Sequence, residues 1–175
     1  MKATGVVRRI DELGRIVIPK ELRRSLRIKE GDSVEIYIDE NHAIVLKKYS
    51  PVENVKSFIT QYLESVYHAT KKDIIIVDSE RVVAVCGEFK KELIGRKIDL
   101  RLEEKIQNRS LQIYNKGDFI EVCDGLVLNV NTVIKPISCY GDKIGAVILA
   151  SSKISESEVS LVEVSASFIG KYLEN

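Results

Sequence analysis

The sequence predicts two domains, a small β-rich domain over residues 1–50 and an α+β domain over residues 51–175. Three observations lead to this prediction. The first fifty residues hold two pairs of β-rich runs around one short helical run. Helix-start signals appear directly after this segment and again near residue 155. Between these two signals the patterns are mostly those of strands, which is typical of an antiparallel sheet with flanking helices.

The first pair of β-rich runs is VVRRI at residues 6–10 and RIVI at residues 15–18, joined by a loop that ends in Gly14. This arrangement predicts a β-hairpin. Pro19 suits the first position of a helix, where its missing N–H costs no hydrogen bond. We therefore expect a short helix over residues 20–26, followed by a turn before the next strand.

A second hairpin is predicted from SVEIYI at residues 33–38 and AIVLKK at residues 43–48. A segment of about fifty residues without a disulfide seldom buries enough apolar area to fold alone. Its apolar strand residues also outnumber what one such pair of hairpins can cover. We therefore expect the N-terminal domain to form a dimer in which two chains share one core.

The second domain begins and ends with capping sequences. Ser50-Pro51-Val52-Glu53 supplies a capping serine, a proline at the first helical position and a glutamate three residues after the cap. Ser155-Glu156-Ser157-Glu158 is a second capping box. These signals predict one helix from Pro51 and another helix that runs to the end of the sequence.

The C-terminal helix is predicted to be apolar on two opposite faces. One stripe consists of Val159, Val162, Ala166, Ile169 and Leu173, and the other of Leu161, Val164, Phe168 and Tyr172. One face can lie on the domain's own sheet, so the other needs a partner, and a helix of another subunit would supply it. Pairing of this helix and the helix from Pro51 with those of a second chain would make a four-helix bundle and a tetramer, with Ile169 and Leu173 at the interface.

Strands and short helices are predicted between these two helices. Residues 73–78 and 81–87 form a hairpin, and residues 88–109 are helical in parts around a break at Gly95. Further strands are predicted at residues 118–122, 132–140 and 143–150.

Positive charge is concentrated at the N-terminus. Residues 1–29 hold nine Lys or Arg against three acids, whereas residues 51–175 hold 16 basic and 18 acidic residues. This asymmetry indicates either a solvated basic face or binding to a polyanion. The sequence shows no signal peptide and no apolar run that would span a bilayer, so we expect a cytoplasmic protein without membrane contact.

No sequence signature of catalysis is present: GxSxG, HExxH and the P-loop are all missing. Cys86, Cys123 and Cys139 form no CxxC pair, and His42 and His68 are too isolated to complete a zinc site with them. We therefore expect no enzyme activity, no metal and no cofactor. The cysteines are interpreted as buried reduced thiols, with a redox-active thiol as the alternative.

Residues 4–40, TGVVRRIDELGRIVIPKELRRSLRIKEGDSVEIYIDE, resemble the DNA-binding domain of AbrB-type transition-state regulators. The similarity continues through IVLKKYSP at residues 44–51. It implies a swapped-hairpin barrel, in which two chains interleave their hairpins. It also implies that double-stranded DNA is contacted by Arg8, Arg15, Arg23 and Arg24. Lys2, Arg9 and Lys20 are added as DNA-binding candidates on their charge alone.

Residues 51–175 are similar in their order of elements to a GAF domain, a ligand-sensing α+β module. They lack the NKFDE motif of cyclic-nucleotide-binding GAF domains. An AbrB-like domain followed by a GAF-like domain resembles transcription regulators of spore-forming bacteria. The resemblance implies a nucleoid-associated, sequence-specific activator or repressor of sporulation genes, whose GAF-like domain oligomerises and senses an unidentified effector.

Two other functions remain open from the sequence. The first is a MazE-type antitoxin, whose C-terminal part would wrap around a toxin. The second is a cysteine-dependent reductase, because some free methionine sulfoxide reductases have a GAF fold and the three cysteines lie in this half of the chain. The cysteine spacing matches no motif of such enzymes that we recognise.

Overall fold

The structure is a computed structural model that describes residues 5–108 and 110–175. The chain divides into two compact units, one that ends at Tyr49 and one that spans Ser50–Asn175. Lys2, one of the DNA-binding candidates, lies outside the described residues.

The described part of the N-terminal unit, residues 5–49, contains one helix and one two-stranded antiparallel sheet. The helix is α1 (Lys20–Ser25), and the strands are β1 (Val34–Ile38) and β2 (Ile44–Lys48). Val34 lies opposite Lys48 and Ile38 opposite Ile44, which confirms the second predicted hairpin. Asp39 closes the loop between the strands, since its N–H donates to the carbonyl of Ala43 over 3.0 Å.

The first predicted hairpin has its turn but not its strands. The Gly14 N–H donates to the carbonyl of Asp11 over 2.9 Å, yet residues 6–10 and 15–18 belong to no strand of the described chain. Apolar side chains on both segments are uncovered, with Val7 86% and Val17 74% exposed. An isolated pair of strands without an apolar partner surface is marginal in water, which explains the difference.

Helix α1 begins at Lys20, as predicted, and ends one residue before the predicted end at residue 26. Pro19 has a ψ angle of 147°, which is extended backbone, so it precedes the helix instead of occupying its first position. Its carbonyl accepts a hydrogen bond from the N–H of Arg23 at 2.9 Å. The helix ends at Ser25, and Arg27 follows in the left-handed region with a φ of 53°.

The second unit is an antiparallel sheet between helices, as predicted. Its helices are α2 (Pro51–Asn54), α3 (Lys56–Thr70), α4 (Lys90–Leu93), α5 (Leu100–Gln107) and α6 (Glu156–Leu173). Its strands are β3 (Asp73–Asp78), β4 (Val82–Cys86), β5 (Gln112–Tyr114), β6 (Ile120–Cys123), β7 (Leu126–Leu128), β8 (Asn131–Cys139) and β9 (Asp142–Ser151). The main sheet has the order β4-β3-β9-β8-β5, and β6 pairs with β7 in a separate ladder.

Three details of this unit differ from the sequence prediction. The helix predicted from Pro51 is interrupted at Val55, which has a φ of −106° and a ψ of 21° and separates α2 from α3. The short strands β5 and β7 were not predicted. Each has three residues, which is too short for an alternating pattern to show.

The main sheet is buried on both faces. Along β3, the side chain of Ile75 packs into a core with α5, β6 and β7, whereas Ile74 and Ile76 pack into a core with α3 and α6. All three isoleucines are completely buried. This is why the sequence of β3 is a continuous apolar run instead of an alternating one.

Helix α6 approaches strand β8 closely because Gly170 faces the sheet. A Cβ atom at this position would lie 2.3 Å from the carbonyl oxygen of Ser138, well inside van der Waals contact. A larger residue at Gly170 would therefore push the helix away from the sheet.

The two apolar faces of α6 are confirmed, but the predicted interface residue Ile169 is on the wrong face. Ile169 is completely buried against the sheet with Val162 and Ala166. The opposite face meets α3 of the same chain, where the rings of Phe58 and Tyr172 stack with centroids 4.1 Å apart. An intramolecular helix thus covers part of the surface that was expected to need another subunit.

The capping box at the start of α6 is also confirmed. Glu158 accepts hydrogen bonds from the Ser155 hydroxyl and, at 2.8 Å, from the Ser155 N–H. Lys72 lies 3.6 Å from the same carboxylate. The hydrogen bonds from Ser155 are the main cause that lowers the pKa of Glu158 to about 2. The charged carboxylate is therefore stabilised in the folded protein.

The Glu158→Gln variant should unfold about 2–5 °C below wild type at pH 7, because it loses a charged acceptor at a helix N-terminus. The wild-type advantage is complete above the ordinary pKa of 4.5 and is lost as the pH falls towards about 2. Thermal unfolding from pH 7 to pH 2 measures this. Glu156→Gln is the matched control, since Glu156 lies in the same helical turn outside the capping box. An equal difference at all pH values would contradict the capping role.

Candidate nucleic-acid interface

The described basic residues that are candidates for DNA binding lie on three segments of the N-terminal unit. Arg8 and Arg9 precede the turn at residues 11–14, and Arg15 follows it. Lys20, Arg23 and Arg24 lie on α1. All six side chains are exposed, so each is available to a ligand in solution.

Asp11 organises the turn that carries Arg15. One carboxylate oxygen of Asp11 accepts hydrogen bonds from the N–H of Leu13 at 3.0 Å and of Arg15 at 2.8 Å. The other oxygen accepts the Arg15 Nε–H at 2.7 Å. The hydrogen bond from the Arg15 backbone, followed by that from its side chain, lowers the pKa of Asp11. The turn thus fixes both the backbone and one side-chain nitrogen of Arg15.

Arg23 and Arg24 occupy the last turn of α1. Cations are favoured at this end of a helix, because the free carbonyl groups carry partial negative charge. The segment after the helix is attached to β2 through Lys48. Its ammonium group lies 2.9 Å from the Asp32 carboxylate and donates to the carbonyl of Arg27 over 3.3 Å. The half-buried Lys48 therefore has a structural role, unlike the exposed arginines on α1.

Sequence analysis missed Asp11 because its charge is opposite to that expected of a DNA-binding surface. The signal was present in the spacing DELGR, in which an aspartate precedes a turn glycine and the following arginine. Aspartate at the start of a turn accepts hydrogen bonds from backbone N–H groups two or more residues later. The structure shows this pattern and adds the contact to the arginine side chain.

Two of the surface cavities in the described part of the second unit lie beside its helices. One, of about 470 Å³, lies between α5, β5 and β6. There the ammonium group of Lys105 is 2.9 Å from the hydroxyl of Tyr114. The other, of about 450 Å³, is a largely apolar groove between α3 and α6, and its lining includes Phe58, Tyr62, Val164 and Phe168.

Within the described ranges, no cluster of three or more His, Cys, Asp or Glu side chains is arranged to hold a metal ion. Cys86, Cys123 and Cys139 are buried free thiols, and burial raises the pKa of each. Among the same described residues, no helix has the length and apolarity that a membrane crossing requires.

Two family models match the chain. Residues 54–174 match the model described as stage V sporulation protein T C-terminal, transcription factor. Residues 7–54 match the model described as antidote-toxin recognition MazE, bacterial antitoxin. The boundary between these matches lies close to the division between the two structural units.

The chain is similar to two regulators of Bacillus subtilis strain 168. It is 38% identical to stage V sporulation protein T, over 99% of each protein. It is 63% identical to the transition state regulatory protein AbrB over 51 residues, which are 29% of this chain and 52% of AbrB.

Solved structures identify the fold of the second unit. The GAF domain region of a protein from Geobacter sulfurreducens PCA has a TM-score of 0.52 at 15% identity, over 71% of this chain and 95% of that one. A type II free methionine-R-sulfoxide reductase from Thermoplasma acidophilum has a TM-score of 0.56 at 13% identity, also over 71% and 95%. These likenesses show a GAF-like fold. A family model that covers more than half of the chain agrees with a relative matched over nearly its whole length, and the chain therefore belongs to the stage V sporulation protein T family.

Proposed function

We propose that this protein is a DNA-binding transcription regulator of sporulation genes. Residues 1–50 would form its DNA-binding domain, and residues 51–175 a regulatory and oligomerisation domain. The observation that carries the proposal is the exposed basic set around the turn at residues 11–15 and on α1, in a segment that is 63% identical to AbrB.

In this proposal Arg8, Arg15, Arg23 and Arg24 contact the DNA directly. A guanidinium group can bind phosphate oxygens or the O6/N7 edge of guanine through two parallel hydrogen bonds. A turn and a six-residue helix present fewer side chains to bases than a long recognition helix does. We therefore expect many contacts to go to phosphates, with DNA shape contributing to specificity. Lys2, Arg9 and Lys20 would add electrostatic attraction.

The proposed dimerisation of the N-terminal domain is supported by the lack of a core among its described residues. Of residues 5–49, only Pro19 is buried, while Val7, Ile10, Val17, Ile38 and Ile44 are each at least 68% exposed. Interleaving with a second chain would cover these side chains. It would also let the two segments that flank the turn at residues 11–14 pair with strands of the partner. A swapped-hairpin dimer would also place two copies of the basic set on one DNA molecule.

A second interface is proposed at the groove between α3 and α6. Val164 is 63% exposed and Phe168 is 43% exposed, although the opposite face of the same helix is buried against the sheet. A second copy of the same pair of helices has matching apolar side chains and would form a four-helix bundle. If the two interfaces join different chains, the smallest closed assembly is a tetramer.

Sensing of an effector is proposed for the second domain. The cavity of about 470 Å³ beside α5 has a volume typical of small-molecule sites. Binding there would regulate the protein only if the effector favours one arrangement of the subunits over another.

Two alternative functions are less well supported. The MazE-type match ends at residue 54 and leaves out the second unit, which folds around its own cores, whereas an antitoxin tail would need its toxin for order. The likeness to a reductase is one of fold alone. Buried thiols with a raised pKa stay protonated at neutral pH and make poor nucleophiles.

Arg15→Ala and the double variant Arg23→Ala/Arg24→Ala should each weaken DNA binding about tenfold or more, because they remove charged donors from the interface. Their melting temperatures should stay within about 2 °C of wild type, since the side chains are exposed. Titration of DNA fragments selected by the wild-type protein measures the affinity. Lys91→Ala, which removes an exposed charge from the second unit, is the control.

Wild-type affinity should also fall with salt. About eight phosphate contacts per dimer give a slope of log affinity against log salt of about −7. A slope near zero, or unaltered binding by Arg15→Ala, would contradict the proposed interface.

Val164→Asp should convert a tetramer to a dimer, because it places a charge in the α3–α6 groove. Ser167→Asp is the control, since Ser167 is an exposed residue of α6 outside the groove lining. Ile169→Asp should instead unfold the second unit, as Ile169 is fully buried. Light scattering gives the mass and circular dichroism the fold. A Val164→Asp variant with the wild-type mass would rule out this interface.

The three thiols should react slowly with a chromogenic disulfide reagent at pH 7 in the folded protein and rapidly once it is unfolded. The reason is that burial keeps them protonated and covered. One thiol that reacts as fast as free cysteine in the folded protein would favour the reductase function instead.

A further inference from the structure

Asp11 places a negative charge on the surface proposed to face DNA. Its side chain is 42% exposed and that of Arg15 is 72% exposed, so the pair lies at the surface. Phosphates repel a carboxylate at this position, and the repulsion opposes binding. Asparagine accepts the same hydrogen bonds from backbone N–H groups and would form the turn without that repulsion. The charge of Asp11 therefore needs a reason other than the turn.

The contact to Arg15 supplies that reason. Arginine has five N–H donors in a planar, rigid group, one on Nε and four on the two Nη atoms. Asp11 binds Nε at 2.7 Å, and the same aspartate binds the backbone N–H of Arg15 at 2.8 Å. Because the guanidinium is planar, a carboxylate at Nε restricts its rotation and leaves the outer Nη donors free.

We propose that Asp11 is a positioning residue for DNA recognition, which holds the Arg15 guanidinium by Nε and presents its two Nη atoms as a fixed pair of donors. This proposal rests on the DNA-binding function proposed above. A fixed pair of donors matches the two acceptors of guanine or two phosphate oxygens. Holding the side chain before binding also reduces the conformational entropy lost on binding.

Positioning and simple electrostatics predict opposite results for Asp11→Asn. The variant keeps an oxygen for the Leu13 and Arg15 N–H groups and so keeps the turn. It loses the charged acceptor for Nε. If charge alone matters, removal of a negative charge strengthens binding to every DNA sequence. If Asp11 positions Arg15, binding to a preferred sequence weakens while binding to other sequences does not.

The test measures the affinity of the whole 175-residue chain for two DNA duplexes. One duplex is selected from genomic fragments by the wild-type protein, and the other is a scrambled duplex of the same length and composition. Asp11→Asn should bind the selected duplex about tenfold more weakly and the scrambled duplex equally or more tightly. In an Arg15→Lys background, which has no Nε–H, Asp11→Asn should cause no further loss of discrimination. The NMR signal of the Arg15 Nε–H, protected in wild type, should exchange rapidly in Asp11→Asn.

Each other result would overturn the proposal. An unchanged ratio of the two affinities for Asp11→Asn, or an equal gain for both duplexes, refutes positioning and leaves the DNA-binding function standing. Asp11→Asn could lose discrimination between the duplexes while its melting temperature falls and the Arg15 Nε–H signal is unaltered. In that case Asp11 stabilises the turn and does not position Arg15. A wild-type protein that binds neither duplex refutes both proposals.

Discussion

The N-terminal unit does not bury its own apolar residues, and its proposed dimerisation and DNA-binding surface depend on this constraint. Helix α1 has no buried residue, and neither β1 nor β2 has a fully covered side chain. Each exposed isoleucine would contribute about 1.5–3 kcal/mol if it were buried. A second chain would cover these side chains and, by two-fold symmetry, would also double the basic set. Folding of this domain and assembly of its DNA-binding surface would then be a single event.

The second unit, by contrast, buries its apolar residues in two cores. Its sheet separates two well-filled cores, and β3 and β9 contribute buried side chains to both. The first residue of the unit, Ser50, is fixed to this sheet. Its hydroxyl donates to Asp78 at 2.7 Å and accepts the Glu53 N–H at 3.1 Å, so it caps α2 and holds it against the end of β3. The other oxygen of Asp78 binds the N–H groups of Glu80 and Arg81 in the β3–β4 turn. Side-chain hydrogen bonds therefore hold the start of the second unit against its sheet.

Local signals in the sequence predicted much of the fold. The caps at Ser50 and Ser155 were predictable because capping depends on residues three positions apart. The face of α6 that meets the sheet depends on tertiary packing, and two apolar stripes looked equivalent in sequence. Residue size distinguishes them in the structure, since Gly170 permits close approach to β8, whereas Phe168 and Tyr172 lie on the side of α3. Arg8, Arg15, Arg23 and Arg24 were identified through the resemblance to AbrB-type domains. The orientation of Arg15 was not predicted, because its contact with Asp11 opposes the charge pattern.

The turn at residues 11–15 also shows why net charge is an incomplete guide to a nucleic-acid surface. Long-range attraction depends on total charge and is screened within about 10 Å at 0.1 M salt. Recognition depends on where each donor lies when the molecules touch, and an exposed arginine has many rotamers. The negative charge of Asp11 weakens the attraction to DNA, but its hydrogen bond to Nε restricts the Arg15 guanidinium that is proposed to contact the DNA. A surface with uniformly positive charge would bind DNA more tightly but less selectively. We therefore expect an acidic residue bound to the Nε of an exposed arginine to mark contacts that discriminate between sequences, and the other basic residues of the surface to supply affinity.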